Sequence, residues 1–430
     1  MSLSSAPSVR ATSRSFGALE AAGVLASMGD GILLVGLLAW SYSAREHATI
    51  IGALMGARLL PPLLLRPAAG LLRGRRALPV ALTAQLLQGI ALLPLLSVRS
   101  DNALPLVLQV VLLTAILAAF FQPSRKELLR VLPPVGHPAA EKAFANAGLL
   151  TLTVGPTAGT ALYSTFGLQG TVVAALVTTL GSLGLLAAVG PSLLARGWRD
   201  GQTRIGGDGE MGAESCFLRP RDGAETTQDP GLSTQGRALR TQAPPPRTSG
   251  ILRPAVALVT AGLPVAQVAF TVWGLFRSPE YVGLILAGQG LGMGMATLAY
   301  PSVGRRTAPG TLVPASLGIA ASACFAFSLA GDLPAAVLPA VAIGFGLSLP
   351  TSGPHTLPGT YSREGLRSPL SAGLDVVTEA AGLLSVLAMG PLVDLLSPRL
   401  AMVLVSVILW VLALYAFGGV ADEESLPDRV

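Results

Sequence analysis

The sequence predicts an all-α polytopic membrane protein of about twelve transmembrane helices arranged in two six-helix halves. Three observations carry this reading: a mean hydropathy of +0.62 over the whole chain, a succession of apolar runs long enough to cross a bilayer, and a single long polar interruption midway. Of the 430 residues, 51% are apolar and 12% charged, a surface that lipid rather than water must solvate. Aromatics make up only 5%, so the apolar content is mostly Leu, Ala, Val and Gly, as in membrane helices whose backbones approach closely.

Crossing the hydrocarbon core takes about 20 mainly apolar residues in a helix. The first segment, Leu19 to Trp40, follows Arg10 and Arg14 in the manner of a signal peptide, but it is long and lacks a small-residue cleavage site. It is expected to stay as an uncleaved helix. Thr49 to Leu65, Ala77 to Leu96, Leu104 to Phe121, Phe144 to Phe166 and Gly170 to Val189 follow, completing a first unit over residues 1–195. Residues 196–250 are rich in Gly, Pro, Thr, Gln and charges of both signs, with Pro244, Pro245 and Pro246 in a row. Such a stretch cannot bury enough apolar area to fold alone and is expected to be a disordered linker. A second unit, residues 251–430, holds Ala255 to Phe276, Tyr281 to Tyr300, Thr311 to Leu329, Leu333 to Leu349, Leu370 to Met389 and Ala401 to Phe417, then a short tail.

Lys and Arg fall mostly on alternate connections. Arg66, Arg73, Arg75 and Arg76, then Arg125, Lys126, Arg130 and Lys142, the linker arginines, and Arg305, Arg306, Arg363 and Arg367 lie on one side. Only Arg45, Arg99, Arg277 and Arg399 lie on the other. Positive residues are retained in the cytoplasm, so both termini and the linker are expected there, in a cell (inner or plasma) membrane. Gly74-Arg75-Arg76 after the second segment and Gly304-Arg305-Arg306 after the eighth occupy equivalent places in the two units, a weak internal repeat of the kind transporters of this size use.

The pI near 9.8 does not imply a nucleic-acid partner, because the basic residues sit between apolar segments. Cys216 and Cys324 form no metal or disulfide motif, and His47, His137 and His355 are scattered near expected loops. A GxxxxGK[ST] phosphate loop is absent from the sequence, and no nucleophile and base stand together. An enzyme, a cofactor and a metal site are not expected.

Ionisable groups at membrane depth cost about 2.5–3.5 kcal/mol on the insertion scale, so each is a functional candidate. Glu20 and Asp30 lie in the first segment, Arg58 in the second, Asp375 and Glu379 in the eleventh. Asp30 and Arg58 reach similar depth on sequential antiparallel helices, so they can pair, either as a structural lock or as a proton-exchanging Asp30 governed by Arg58. Asp375 and Glu379, four residues apart, share one helix face and can hold a proton between them, or Asp375 sits at the interface beside Arg367. Glu20 lies near a helix end and reads as interfacial, with proton carriage as the second choice. Gln85, Gln88, Gln109, Gln267 and Gln289 are polar at membrane depth and can line a substrate cavity or bond across helices. Gly155, Pro156 and Gly159 allow a bend or close packing in the fifth segment. The eighth holds Gly283, Gly288, Gly290, Gly292 and Gly294, enough for a gating helix or a close contact.

Residues Phe120 to Thr160, with Phe121 and Pro123, Leu132 and Pro133, Ala145, Asn146 and Ala147, and then Gly155, Pro156 and Gly159, resemble the twelve-helix drug and siderophore exporter branch of the major facilitator superfamily. Gly29 and Asp30 in the first segment resemble the same branch. That family's loop between helices two and three carries an acidic residue, whereas Gly70, Leu71, Leu72, Arg73, Gly74, Arg75 and Arg76 have none, and Thr160 stands where its fifth-helix motif ends in Gly. The resemblance implies export of hydrophobic or amphipathic small molecules by proton antiport and alternating access. The coupling candidates are Asp30, Asp375, Glu379 and Glu20. Arg58 is the charge partner. Asn146 and the five glutamines are the cavity candidates, and Gly155, Pro156, Gly159, Gly70, Arg75, Arg76, Gly288 and Gly292 the gating positions. The partners expected are a small-molecule substrate, protons and the lipid bilayer, with the chain a monomer. Alternatives are a facilitative uniporter or importer, and a non-transporting sensor or scaffold of the same fold that acts through its linker.

Overall fold

A computed structural model describes residues 6–45, 47–69, 77–98, 103–131, 138–205, 247–303, 307, 309–349 and 369–424. The described residues are helical almost throughout. The first helices are α1 (Ala6–Arg45), α2 (Ala48–Ala69), α3 (Ala77–Leu92), which a 3₁₀ turn over Leu93–Ser97 extends, and α4 (Leu104–Val131). The helical run Pro138–Ile205 is broken at Gly167, whose φ of 64° lies where only glycine goes freely. Its apolar stretch of 38 residues would measure about 57 Å as one rod, nearly twice the ~30 Å hydrocarbon core. It is instead a hairpin of α5 (138–166) and α6 (168–205). Gly155 and Gly159 of α5 lie beside Gly31 and Val35 of α1, whereas Thr178 and Thr171 of α6 lie beside Gly29 and Gly36. Thus α5 runs with α1 and α6 against it.

The second half begins with α7 (Arg247–Thr260), α8 (Leu263–Ala269) and a π-helical turn, Phe270–Gly274. Together these make one span, Leu252–Gly274, where the sequence predicts one unbroken helix. The break falls at Gly262, whose N–H leaves the helix ladder and donates to Ser385 Oγ at 2.9 Å. Then come α9 (Val282–Val303), α10 (Pro309–Ser328), α11 (Leu333–Ser348), α12 (Pro369–Leu396) and α13 (Pro398–Glu424). Asp332 caps α11, accepting from Ala335 N at 2.9 Å. Among the described residues, ten runs are long and apolar enough to span a membrane. The second arm of the hairpin and the shorter α11 bring the spans to the twelve expected.

Two differences from the sequence reading concern extent. α4 runs ten residues past Phe121, carrying Arg125 inside a helix, and helix continues to Ile205 and resumes at Arg247, inside the segment read as linker. Alternation of direction brings the facing ends of α1 and α2, α3 and α4, α5 and α6, the seventh span and α9, α10 and α11, and α12 and α13 to one end of the bundle, the short-joint end. Gln169 Nε2 donates to Val98 O at 2.9 Å across two of the short joints.

The core is built from small residues. Ala266, Ala269, Ala320, Ala321, Ala336, Ala340 and Ala401 are wholly buried in the largest cluster, around Phe270 and Phe327. The outer faces are apolar as well: Leu404, Val407, Val411 and Leu414 of α13 are exposed at helical spacing, as a lipid-facing stripe requires.

Candidate functional site

Asp30, Glu20 and Asp375 have basic partners among the described residues. Asp30 Oδ2 lies 3.5 Å from Arg58 Nη2, and Gln88 Nε2 donates to Asp30 Oδ1 at 3.3 Å. Counted at ~1.5 Å per residue, Arg58 and Gln88 stand roughly 14–15 Å from the short-joint ends of their helices, and Asp30, in contact with both, is level with them, near mid-membrane. Gly29 and Gly31 let α6 and α5 press close on either side of Asp30, leaving its carboxylate directed at α2 and α3. Gly52 and Gly56 of α2 pack on α12, and Arg58 projects about 200° around the helix from Gly56. The cluster therefore lies inside the N-terminal half and ties α1, α2 and α3 together, as the pairing of Asp30 with Arg58 predicted, with Gln88 added.

Glu20, five residues from the start of the first span, has a partner that the sequence reading did not give it. Its side chain is 14% exposed and Oε2 lies 3.6 Å from Arg125 Nη2 of α4, itself 15% exposed. The pair forms because α4 carries Arg125 into the bundle, and Gly23, one turn from Glu20, leaves room for the guanidinium, which would collide with a Cβ there. Glu20 Oε1 and Arg125 Nε are buried without a hydrogen-bond partner.

Asp375 and Glu379 lie on one face of α12, but neither is in a sealed interior. Asp375 is 29% exposed and pairs at 3.8 Å with Arg253 of α7, and Glu379 is exposed. Arg367, the partner expected for Asp375, lies outside the described residues, as do Gly70, Arg75 and Arg76 and the side chain of Asn146.

The glutamines divide. Gln85 is buried and donates to Ser182 Oγ at 2.8 Å, joining α3 to α6. Gln109 is exposed on α4, and Gln289 is half-buried. Gln267 on α8 is 0% exposed, with neither its Oε1 nor its Nε2 hydrogen-bonded. Gly288 and Gly292 of α9 pack on Val337 and Val341 of α11, and Gly344 packs back on Gln289 O, a close contact within the C-terminal half.

The halves meet along two seams. In one, Gly155 and Gly159 of α5 face α1, while Pro156 and Thr160 face Gly283 of α9. Thr160, whose hydroxyl donates to Pro156 O at 3.2 Å, occupies the place where the resemblance expects glycine, and the glycine stands on the opposing helix. In the other seam, α2 packs on α12, and a residue that sequence reading missed joins it. Asp394 Oδ1 accepts from Ala48 N at 2.8 Å, and its Oδ2 accepts from Thr49 N at 3.0 Å and Thr49 Oγ1 at 2.5 Å. An acidic residue in the last turn of one apolar segment, level with the start of another, is the sequence signal for this contact. A groove of about 840 Å³ between α10, α11 and α13, lined by Pro314, Ile319, Pro339 and Trp410, lies on the flank of the C-terminal half and touches none of these groups.

No family model matches the sequence, and no curated protein matches it. The structure is similar to that of the nucleoside transporter NupG, with 13% identity, a TM-score of 0.63, and 94% of this chain and 99% of that one covered. It is also similar to a bacterial homologue of the iron transporter ferroportin in its inward-facing state, with 13% identity, a TM-score of 0.59, and 99% of this chain and 100% of that one covered. At that identity the likeness establishes the fold: twelve membrane helices in two six-helix halves of the major facilitator type.

Proposed function

We propose that the chain is a secondary transporter that exports hydrophobic or amphipathic small molecules in exchange for protons, its halves rocking about the two seams. The observation that carries this reading is the Asp30–Arg58–Gln88 cluster, a carboxylate near mid-membrane with a basic and a neutral polar partner, on a fold shared with structures described as transporters. A carboxylate at that depth is costly unless paired. A change in its pairing as the halves move would therefore favour uptake of a proton in one orientation and release in the other. Both termini and the linker would be cytoplasmic.

The test is quenching of a pH-sensitive dye in vesicles containing the purified protein, with lipophilic dyes, antibiotics and siderophores added in turn. Substrate-triggered proton release that Asp30→Asn abolishes supports the reading, and release that survives neutralisation of Asp30, Asp375 and Glu379 in turn refutes coupling through these groups. A second reading, a facilitative uniporter or importer, is favoured by Asp30 being already neutralised by Arg58. It predicts substrate flux in the same vesicles with no proton signal.

A further inference from the structure

The turn between α12 and α13 reaches into both halves. Ser397, at φ 91°, sits in the left-handed region that side chains rarely adopt and reverses the chain within one residue. Pro398 then opens α13, at the position where proline suits a helix. An acid and a base stand five positions apart across this reversal. Asp394 reaches the N-terminal half and takes the first N–H groups of α2. Arg399 stays within the C-terminal half, donating through Nη2 to Gly274 O at 3.3 Å, with its guanidinium 6.0 Å from the Phe270 ring centre. Each charge meets the helix end of opposite partial charge: a carboxylate at the start of α2, where unpaired N–H groups converge, and a guanidinium at the end of the seventh span, where unpaired carbonyls do. The backbones are also as close as they can be, since a Cβ on Gly390 would stand 2.6 Å from Thr49 Cα and one on Gly52 would stand 2.8 Å from Val386 O.

We propose that this turn is a latch that holds the two halves together at the short-joint end. Asp394 is the arm that must let go when that end opens, and Arg399 is the arm that keeps the turn fixed to its own half. Opening would strip three hydrogen bonds, two of them to backbone N–H, from a carboxylate that accepts more strongly than a neutral group does. The consequence for transport rests on the alternating-access reading above, whereas the latch itself is a matter of distance between halves and needs no substrate.

The experiment is pulsed electron–electron resonance in nanodiscs on protein carrying Cys216→Ser and Cys324→Ala, with spin labels at Ser97→Cys and Leu329→Cys. These positions are exposed at the short-joint end, one in each half, away from the latch. Asp394→Asn and Asp394→Ala are expected to move population to a longer distance, changing the open-to-closed ratio by about tenfold, the worth of a charged hydrogen-bond set. Asp332→Ala, which removes a comparable cap lying wholly within the C-terminal half, leaves the distribution unchanged. If the Asp394 variants do not fold, Thr49→Ala, which removes one of the three bonds, carries the test and shifts the distribution the same way by less. Distributions identical to the parent in folded Asp394 or Thr49 variants would overturn the latch while leaving the transport reading intact. Failure of proton-coupled transport with the distance shift present would do the reverse.

Discussion

Gly283 of α9 lies against the carbonyl oxygen of Pro156 on α5, so closely that a Cβ added to the glycine would stand 2.5 Å from that oxygen. The contact joins the two halves, and Thr160 supplies the rest of the surface. A side chain at 283 cannot be accommodated by a rotamer change alone, because one of the obstructing atoms is backbone.

Gly283→Val is therefore expected to fold, since each half keeps its own core, but to hold the α5–α9 seam apart. Overpacking of this kind costs about 1–3 kcal/mol, here charged to the closed arrangement. Substrate flux in vesicles should fall by roughly tenfold or more. Thr160→Ala should not rescue it, because the Pro156 carbonyl remains. Recovery of flux in the Gly283→Val/Thr160→Ala double variant would mean that the seam is looser than the distance indicates.

Glu20 and Arg125 should behave as a unit. Each is mostly buried, and removal of one partner leaves a charge behind, which costs about 3–5 kcal/mol for a buried pair. Glu20→Ala and Arg125→Leu should each lower the thermal midpoint strongly, and the double variant by less than the sum. The orphaned Glu20 Oε1 and Arg125 Nε mean that the pair is not fully compensated even in the parent. Additive losses measured by a fluorescent thermal-shift assay in detergent would show that the two side chains do not couple.

The same cycle on Asp30 and Arg58 should give a smaller number. Their side chains are 27% and 35% exposed, roughly twice the exposure of Glu20 and Arg125 at 14% and 15%, so removal of one partner strands a less buried charge and a smaller coupling is expected. Gln88→Leu should weaken the pair further by removing the donor to Oδ1. A coupling as large as that of Glu20 with Arg125 would place Asp30 in a far drier setting than its exposure suggests.

Sequence alone revealed the twelve spans, because apolar length is a one-dimensional property, and it revealed the Asp30–Arg58 pair, because depth can be counted along antiparallel helices from their shared joint. It failed where a residue's depth depended on where a helix stops. Falling hydropathy ends the fourth segment at Phe121, which puts Arg125 in a loop and leaves Glu20 without its partner. Asp394 went unnoticed for a related reason: an acidic residue at the end of an apolar run is ordinarily solvated, and only the packing of α12 on α2 shows it capping a helix. The break at Gly262 is hidden in the sequence because glycine is frequent in membrane helices generally, and only the Ser385 hydroxyl that receives the freed N–H distinguishes this one.

Gln267 separates a structural role from a functional one by sign. A buried amide with both ends unpaired costs about 1–3 kcal/mol, so nothing in the packing of α8 accounts for keeping it. Gln267→Leu, close in volume and with no polar atoms, should raise the thermal midpoint by about 1–3 °C, the shift that such an energy gives a chain of this length. If the amide serves substrate, the more stable variant should also lose flux, the exchange of stability for activity expected where a binding group is held unsatisfied between turnovers. Higher stability with undiminished flux across the dye and antibiotic panel would make Gln267 a packing defect. A lower midpoint would mean that the amide is bonded in the membrane, and that the cost assigned to it is already met.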